Sequence, residues 1–362
     1  MPAEWEPHEA TWLAWPHYQG DWPGKFEPIL WVYAEIVRNL SRHERVELIV
    51  NDAAAERSVK QILARANAQS NNVRFHRWRT DRAWVRDSGC IFVASDIGHV
   101  GTAALGRPVE PKARHPFALT FRFNAWAKYS NHRHDRKISG LMASVAGAQP
   151  IPPMHGQTRV VLEGGSIDLN GRGAILATEE CLLSKVQQRN PTMKRRDYEA
   201  LFAKYLGAHN VVWLGKGIAG DDTHGHVDDL ARFVSADTVL IVVESNRRDA
   251  NHAPLRDNLR RLRTARDQDG KLLNIAEIPM PRPVIFEKRR LPASYANFYI
   301  ANRIVLVPVF NDPNDRIALN TMAALFPSRE VVPIYSADLV WGFGTLHCMT
   351  QQQPSLHKSE LD

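Results

Sequence analysis

Cys348 closes the segment Gly342-Phe343-Gly344-Thr345-Leu346-His347-Cys348. Its two glycines let the backbone turn sharply and carry a thiol into a pocket that a bulkier loop would block. Such a thiol is either a nucleophile or a small buried hydrophobe. His226-Val227-Asp228 adds an imidazole and a carboxylate two residues apart. On a strand these would share a face, giving a general acid/base beside a cation-binding carboxylate. The plainer reading is a surface strand end with incidental polar residues. Glu163 in LEGGS and Asp87 in WVRDSG each stand beside glycine or serine where a strand-like run ends. Read as structural residues, Asp87 would pair with Arg86 and Glu163 would stabilise a turn. Taken jointly, a thiol, an imidazole and three acids favour thiol chemistry on a cation.

A metal competes for the same residues. His224-Gly225-His226-Val227-Asp228 matches the HxHxD spacing of dinuclear zinc hydrolases, and two imidazoles with a carboxylate are good zinc ligands. Those enzymes usually follow the aspartate with a further histidine, where this chain has Asp229, and no other ligand set with recognisable spacing accompanies it. A cysteine hydrolase needs no metal, and no cofactor is expected.

The elements that must position these groups alternate between strand-like and helix-like runs. VELIV (46–50) leads into a helical stretch over 53–68 and then VRFHRW (73–78). A helix over 192–208 precedes VVWLG (211–215), and one over 254–268 precedes LLNIAEI (272–278). A last helix is expected over 313–326, capped by Asp312 with Pro313 in its first turn. This recurrence, at roughly 60-residue spacing, predicts a mixed α/β fold in one unit over 1–362, with no linker to divide it. Gly, acidic residues and His gather in four segments, 83–89, 160–171, 220–233 and 340–354, where buried charge marks candidate sites.

The bulk properties are those of a globular chain: 362 residues, 44% hydrophobic and 23% charged. No apolar run is long enough for a membrane span. Glu4, Glu6, Pro7 and Glu9 stand where a signal peptide would be basic and then apolar, so a cytoplasmic location is expected. Cys90, Cys181 and Cys348 are too few and too scattered for a disulfide framework. A net charge of +7 raises the question of nucleic acid. In the densest basic stretch, however, Arg247, Arg248, Arg256, Arg260, Arg261, Arg263 and Arg266 are interrupted by Asp249, Asp257, Asp267 and Asp269. That pattern reads as a solvated helix face without nucleic-acid partners. Asp221, Asp222, Asp228 and Asp229 make the region of His226 locally negative, which would steer a small cation.

MPAEWEPHEATWLAWP, WVRDSG, LEGGSI with ATEECLLS, DDTHGHVDD, SYANFYIAN and LHCMTQQQP occur in this order along the chain. In these motifs the sequence resembles the agmatine deiminase and Porphyromonas-type peptidyl-arginine deiminase family, nearly end to end. The resemblance implies a pentein fold, a five-bladed α/β propeller with pseudo-fivefold symmetry around one central site. It implies Cys348 as nucleophile, His226 as general acid/base and Glu163 as the residue that orients or charge-balances His226. Asp87 and Asp228 would bind the guanidinium, with Trp84 walling it through its π face. The implied reaction converts agmatine and water to N-carbamoylputrescine and ammonia, without metal or cofactor, in an enzyme expected by analogy to be a homo-oligomer. Peptidyl-arginine is the second substrate reading, and an amidinotransferase or dimethylarginine hydrolase would share the same residue set. A zinc hydrolase using His224, His226 and Asp228 is the alternative of another class, and a non-catalytic role in ribosome biology is a third. Three motifs depart from the family pattern. GGGNIHC is replaced by WGFGTLHC, through Trp341, Phe343, Thr345 and Leu346; DTGP becomes DSGC, with Cys90; and DTNGH becomes DTHGH, with His224.

Overall fold

A computed structural model describes residues 1–95 and 115–355. Among the described residues, five mixed sheets share one scheme: an outer strand runs antiparallel to a second, which runs parallel to a third. In chain order the trios are Ile91–Ser95, His115–Leu119 and Gln149–Ile151; Ile167–Leu169, Ala174–Thr178 and Asn210–Leu214; Ala231–Phe233, Thr238–Val243 and Asn274–Pro279; and Tyr299–Ile300, Ile304–Val309 and Glu330–Tyr335. The remaining sheet joins the two ends of the chain. Thr350–Pro354 runs antiparallel to His8–Ala14, which is parallel to Arg45–Val50 and so to Val73–Arg77.

Parallel neighbours need a crossover, and helices supply it. Phe26–Leu40, Ala53–Arg65, Ile138–Val145, Arg195–Leu206, His252–Thr264 and Asp315–Leu325 fill that role. Middle strands such as Ala174–Thr178 and Ile304–Val309 are buried almost throughout, as strands covered on both faces must be. No helix among the described residues is long and apolar enough to cross a membrane.

Mixed α/β is therefore what the chain forms, and most expected elements stand within a few residues of where the pattern put them. The helix expected over 53–68 ends at Arg65, because Asn67 turns to φ +52°; Asp52 caps its other end, accepting from Ala54 and Ala55 N–H at 2.8 Å. Gly207, at φ +69°, stops the helix expected to reach 208. The last helix begins at Asp315 with Asn314 at its N-cap, so Asp312 does not cap it. The Asp315 carboxylate turns back to the Phe310 and Asp312 amides, and the residues around Pro313 become a turn ahead of the helix.

A larger difference concerns the four segments expected as strand ends. Each carries a single helical turn that precedes the outer strand of a sheet: Val85–Ser88, Gly164–Ser166, Val227–Asp229 and Leu346–Met349. His226 and Asp228 thus belong to a turn, not a strand. The fifth outer strand, Tyr299–Ile300, is preceded by a turn at Tyr295–Ala296 that leads into it through Asn297 and Phe298.

Candidate active site

These five turns converge, and each contributes polar side chains to one buried cluster. Asp87 comes from the first, Glu163 from the edge of the second and His226 with Asp228 from the third. Asn297 comes from the fourth and Cys348 from the last. Glycine makes the approach possible. A Cβ on Gly165 would lie 2.6 Å from His226 Nδ1, 2.9 Å from Asp228 Oδ2 and 3.1 Å from Asp87 Oδ1. One on Gly344 would lie 2.8 Å from the Trp84 ring and 3.1 Å from Cys348 Sγ.

The His226 ring is fully buried. Nδ1 lies 3.9 Å from both Asp87 Oδ2 and Asp228 Oδ1, and Nε2 lies 3.8 Å from Glu163 Oε2. Neither nitrogen has a hydrogen-bond partner among the described residues. Burial works against the imidazolium, yet Asp87, the adjacent Cys181 and Glu163 hold its pKa well above the ordinary histidine value. Glu163 is also fully buried, and Arg189 Nε donates to its Oε1 at 3.1 Å. Against the cost of burial, Arg189 and then His226 bring the Glu163 carboxyl down to about 2.

Asp87 is oriented by two neutral donors, Gly165 N–H at 3.0 Å and Trp126 Nε1 at 2.8 Å. Arg86, its expected partner, reaches instead to Glu4 at 3.1 Å and Gln352 at 2.7 Å. With no cation hydrogen-bonded to it, Asp87 is raised above the ordinary aspartate value by burial, an effect that His226 opposes from 3.9 Å and Asp228 augments. Asp228 has one oxygen engaged and one open. Oδ2 lies 2.7 Å from His347 Nδ1, while Oδ1 is buried without a partner. Despite its burial, the His347 contact and His226 hold Asp228 below its ordinary value. The far side of His347 meets Glu4 Oε2 at 2.8 Å, and Arg232 donates to the other Glu4 oxygen at 2.9 Å. Asp229 is raised well above its ordinary value by burial and then by Asp228.

Cys348 is 4% exposed and faces a pocket also lined by Asp21, Arg82, Trp84, Asp87, Trp126, Tyr129, Asp222 and Phe343. Sγ lies 3.7 Å from Asp228 Oδ2 and accepts from Asn297 Nδ2 at 3.1 Å. Burial first, then Asp228, Asp229 and Asp87, push the thiol well above its ordinary pKa. Trp84 is held by a hydrogen bond from Nε1 to Asp21 Oδ2 at 3.1 Å and by the tilted Trp22 ring at 5.5 Å. At the outer edge Asp222 meets Lys128 and accepts from Tyr129 Oη at 2.6 Å, and Phe343 takes φ +70°.

Every residue singled out for cysteine chemistry is thus in or against one site. The metal set is not assembled, because His224 leaves the cluster at φ +66° and its Nε2 meets Ser184 Oγ at 3.1 Å. The residues that do come within ligand distance are Glu163, Cys181 and His226, and separately Asp228, Asp229 and Cys348. Asn297, His347, Glu4 and Arg189 were not singled out by the sequence. His347 is adjacent to Cys348, Asn297 lies in SYANFYIAN and Glu4 in MPAEWEPHEATWLAWP; Arg189 carries no such signal.

The family description "Porphyromonas-type peptidyl-arginine deiminase" matches residues 1–354. The agmatine deiminase of Ectopseudomonas mendocina is 31% identical, over 98% of this chain and 95% of its own length. That of Pseudomonas aeruginosa is 31% identical over 99% and 96%. Among solved structures, the agmatine deiminase of Enterococcus faecalis superposes with a TM-score of 0.85 at 26% identity, over 99% of this chain and 96% of that one. The agmatine deiminase of C. jejuni gives 0.77 at 26% identity, over 98% and 95%.

Proposed function

Because the chain belongs to the Porphyromonas-type peptidyl-arginine deiminase family, we propose that it is a cysteine-dependent guanidine deiminase acting first of all on agmatine, giving N-carbamoylputrescine and ammonia. The observation that carries this reading is the placement of Cys348 Sγ among buried carboxylates, one of which, Asp228, also approaches a histidine whose ring nitrogens are unengaged. Asp87 and Asp228 Oδ1 are buried with no cation hydrogen-bonded to them, which is costly, and a planar guanidinium supplies that partner.

Asp87 and the open Oδ1 of Asp228 bind the guanidinium nitrogens, and Trp84 packs on its face. The bound cation offsets the charges that oppose thiolate formation, so the thiol ionises in the presence of substrate and releases its proton to solvent. Sγ attacks the guanidinium carbon. His226 gives its proton to the departing nitrogen, and ammonia leaves a cysteine-bound thiouronium. His226 then takes a proton from water, whose oxygen attacks the same carbon; the C–S bond breaks, the new hydroxyl's proton passes to the departing sulfur to restore the thiol, and the ureido product forms. No step needs a metal. We also infer a single catalytic domain over 1–362, a cytoplasmic homo-oligomer, and the five sheets as blades of a pseudo-fivefold propeller around this site. The mixed-strand scheme repeated in five sheets supports that arrangement. A nearly covered nucleophile under Trp84 and Phe343 favours a small guanidine over a peptidyl-arginine.

The test is ammonia and ureido release from agmatine, arginine and a blocked arginine peptide, with Cys348→Ala and with a chelator. Turnover of agmatine that is lost in the variant and indifferent to chelator is the expected result. Activity in the variant, or its loss on chelation alone, overturns the mechanism.

A further inference from the structure

Asn297 spends its whole side chain on the nucleophile and its surroundings. Its Oδ1 accepts from Thr345 Oγ1 at 2.8 Å, from His347 N–H at 3.1 Å and from Cys348 N–H at 3.4 Å. Its Nδ2 donates to Asp229 Oδ1 at 3.0 Å and to Cys348 Sγ at 3.1 Å. The amide orientation is dictated by these partners, since three donors face the oxygen while a carboxylate and a sulfur face the nitrogen. The residue is 1% exposed, so bulk water does not share these contacts. Among the described residues, the other hydrogen-bond partner of Sγ is a carboxylate oxygen of Asp228, which can receive a thiol proton but repels a thiolate.

We infer that Asn297 is a catalytic residue of the deiminase reaction: its amide N–H stabilises the Cys348 thiolate and separates it from Asp229, while its carbonyl fixes the turn that carries the sulfur. This rests on Cys348 being the nucleophile. The sulfur otherwise faces only negative charge, from Asp228, Asp229 and Asp87. A neutral donor placed there favours thiolate without competing for the guanidinium, as a lysine or arginine would. The Oδ1 contacts hold the Leu346–Met349 turn in place, so that the sulfur and the donor move as one unit.

The test is the pH dependence of Cys348 alkylation by iodoacetamide, located by mass spectrometry so that Cys90 and Cys181 do not confuse it. Sγ displaces iodide and needs no guanidine, so the readout is independent of turnover. A hydrogen bond to a charged group sets the scale. Asn297→Ala should move the alkylation pKa up by about one to two pH units and slow alkylation below it about 10–100-fold. The kcat for agmatine should fall with KM little changed, because Asn297 does not touch the guanidinium carboxylates. Asn297→Asp keeps the acceptor, removes the donor and adds a charge, so its alkylation pKa should rise further. Thr345→Val loosens the turn but keeps the donor, and should leave that pKa in place. If Asn297→Ala does not fold, the aspartate and valine variants carry the same comparison. An alkylation pKa unchanged in a folded Asn297 variant, or shifted equally by Thr345→Val, refutes the role. A Cys348→Ala enzyme that still turns over guanidine refutes instead the reading on which it rests.

Discussion

Replacing Glu163 by glutamine tests the electrostatics at the back of the site. Glu163 and Arg189 are both buried and lie 3.1 Å apart. The carboxyl is lowered from an ordinary 4.5 to about 2, burial opposing and Arg189 then His226 prevailing. At about 1.4 kcal/mol per pH unit, this shift corresponds to roughly 3 kcal/mol of folding stability at neutral pH. The sign follows from linkage. A depressed carboxyl contributes fully above its unfolded value of 4.5, and the contribution drains away as pH falls towards 2. Glutamine keeps the shape and the acceptor oxygen but removes the charge and strands a buried guanidinium. Denaturant unfolding of wild type and Glu163→Gln between pH 2.5 and 7 should therefore show a gap of about 2–4 kcal/mol at pH 7 that narrows steadily below pH 4.5. Arg189→Met in the Glu163→Gln background should restore part of the loss, as coupled partners do. A gap that is the same at every pH would show that the Glu163 charge is not what holds this part of the fold, and the reasoning would fail.

Asp228→Asn should move two activities in opposite directions. It removes a charge that disfavours the thiolate, so alkylation of Cys348 at neutral pH should rise by about tenfold, while agmatine turnover falls by at least about 100-fold for want of a guanidinium ligand. Gly165→Ala should abolish turnover, because its Cβ would sit 2.6 Å from His226 Nδ1; activity near wild type would mean the turn can shift. Trp84→Leu should raise KM for agmatine by roughly 3- to 30-fold through loss of the cation–π face, measured by steady-state kinetics. Phe343→Gly should relieve a left-handed backbone but give up the ring's contacts with Trp341 and the Arg289 guanidinium, for a net loss of roughly 1–2 kcal/mol in thermal melts. It should also admit bulkier guanidines, read as a rise in kcat/KM for the blocked arginine peptide.

What the sequence determined by itself was the set of candidate groups and the class of fold. Cys348, His226 and the three acids were legible as candidates because their types suit thiol chemistry on a cation and their motifs stand in one order along the chain. Mixed α/β was legible because hydrophobic periodicity is local: a helix such as Arg195–Leu206 and a strand such as Ile304–Val309 announce themselves within a dozen residues. The glycines beside the site were visible as well, although their purpose was not.

Only the tertiary structure decided how these groups meet. His226 and Asp228 looked like neighbours on a strand face and are instead on a helical turn, because a turn of Val227–Asp229 aims both side chains at Gly165 and Asp87 from another part of the chain. His224 has the spacing of a metal ligand and turns away to Ser184, since a left-handed backbone at one residue outweighs any periodicity in the letters. Glu4 reaches Asp228 through His347 only because the strand after Cys348 pairs with the strand after Glu4. Asn297 reaches the sulfur from 51 residues away in the chain. Spacing along a sequence constrains contacts within one element, whereas distances between elements are set by packing, and the partners that tune this thiol all lie across such boundaries.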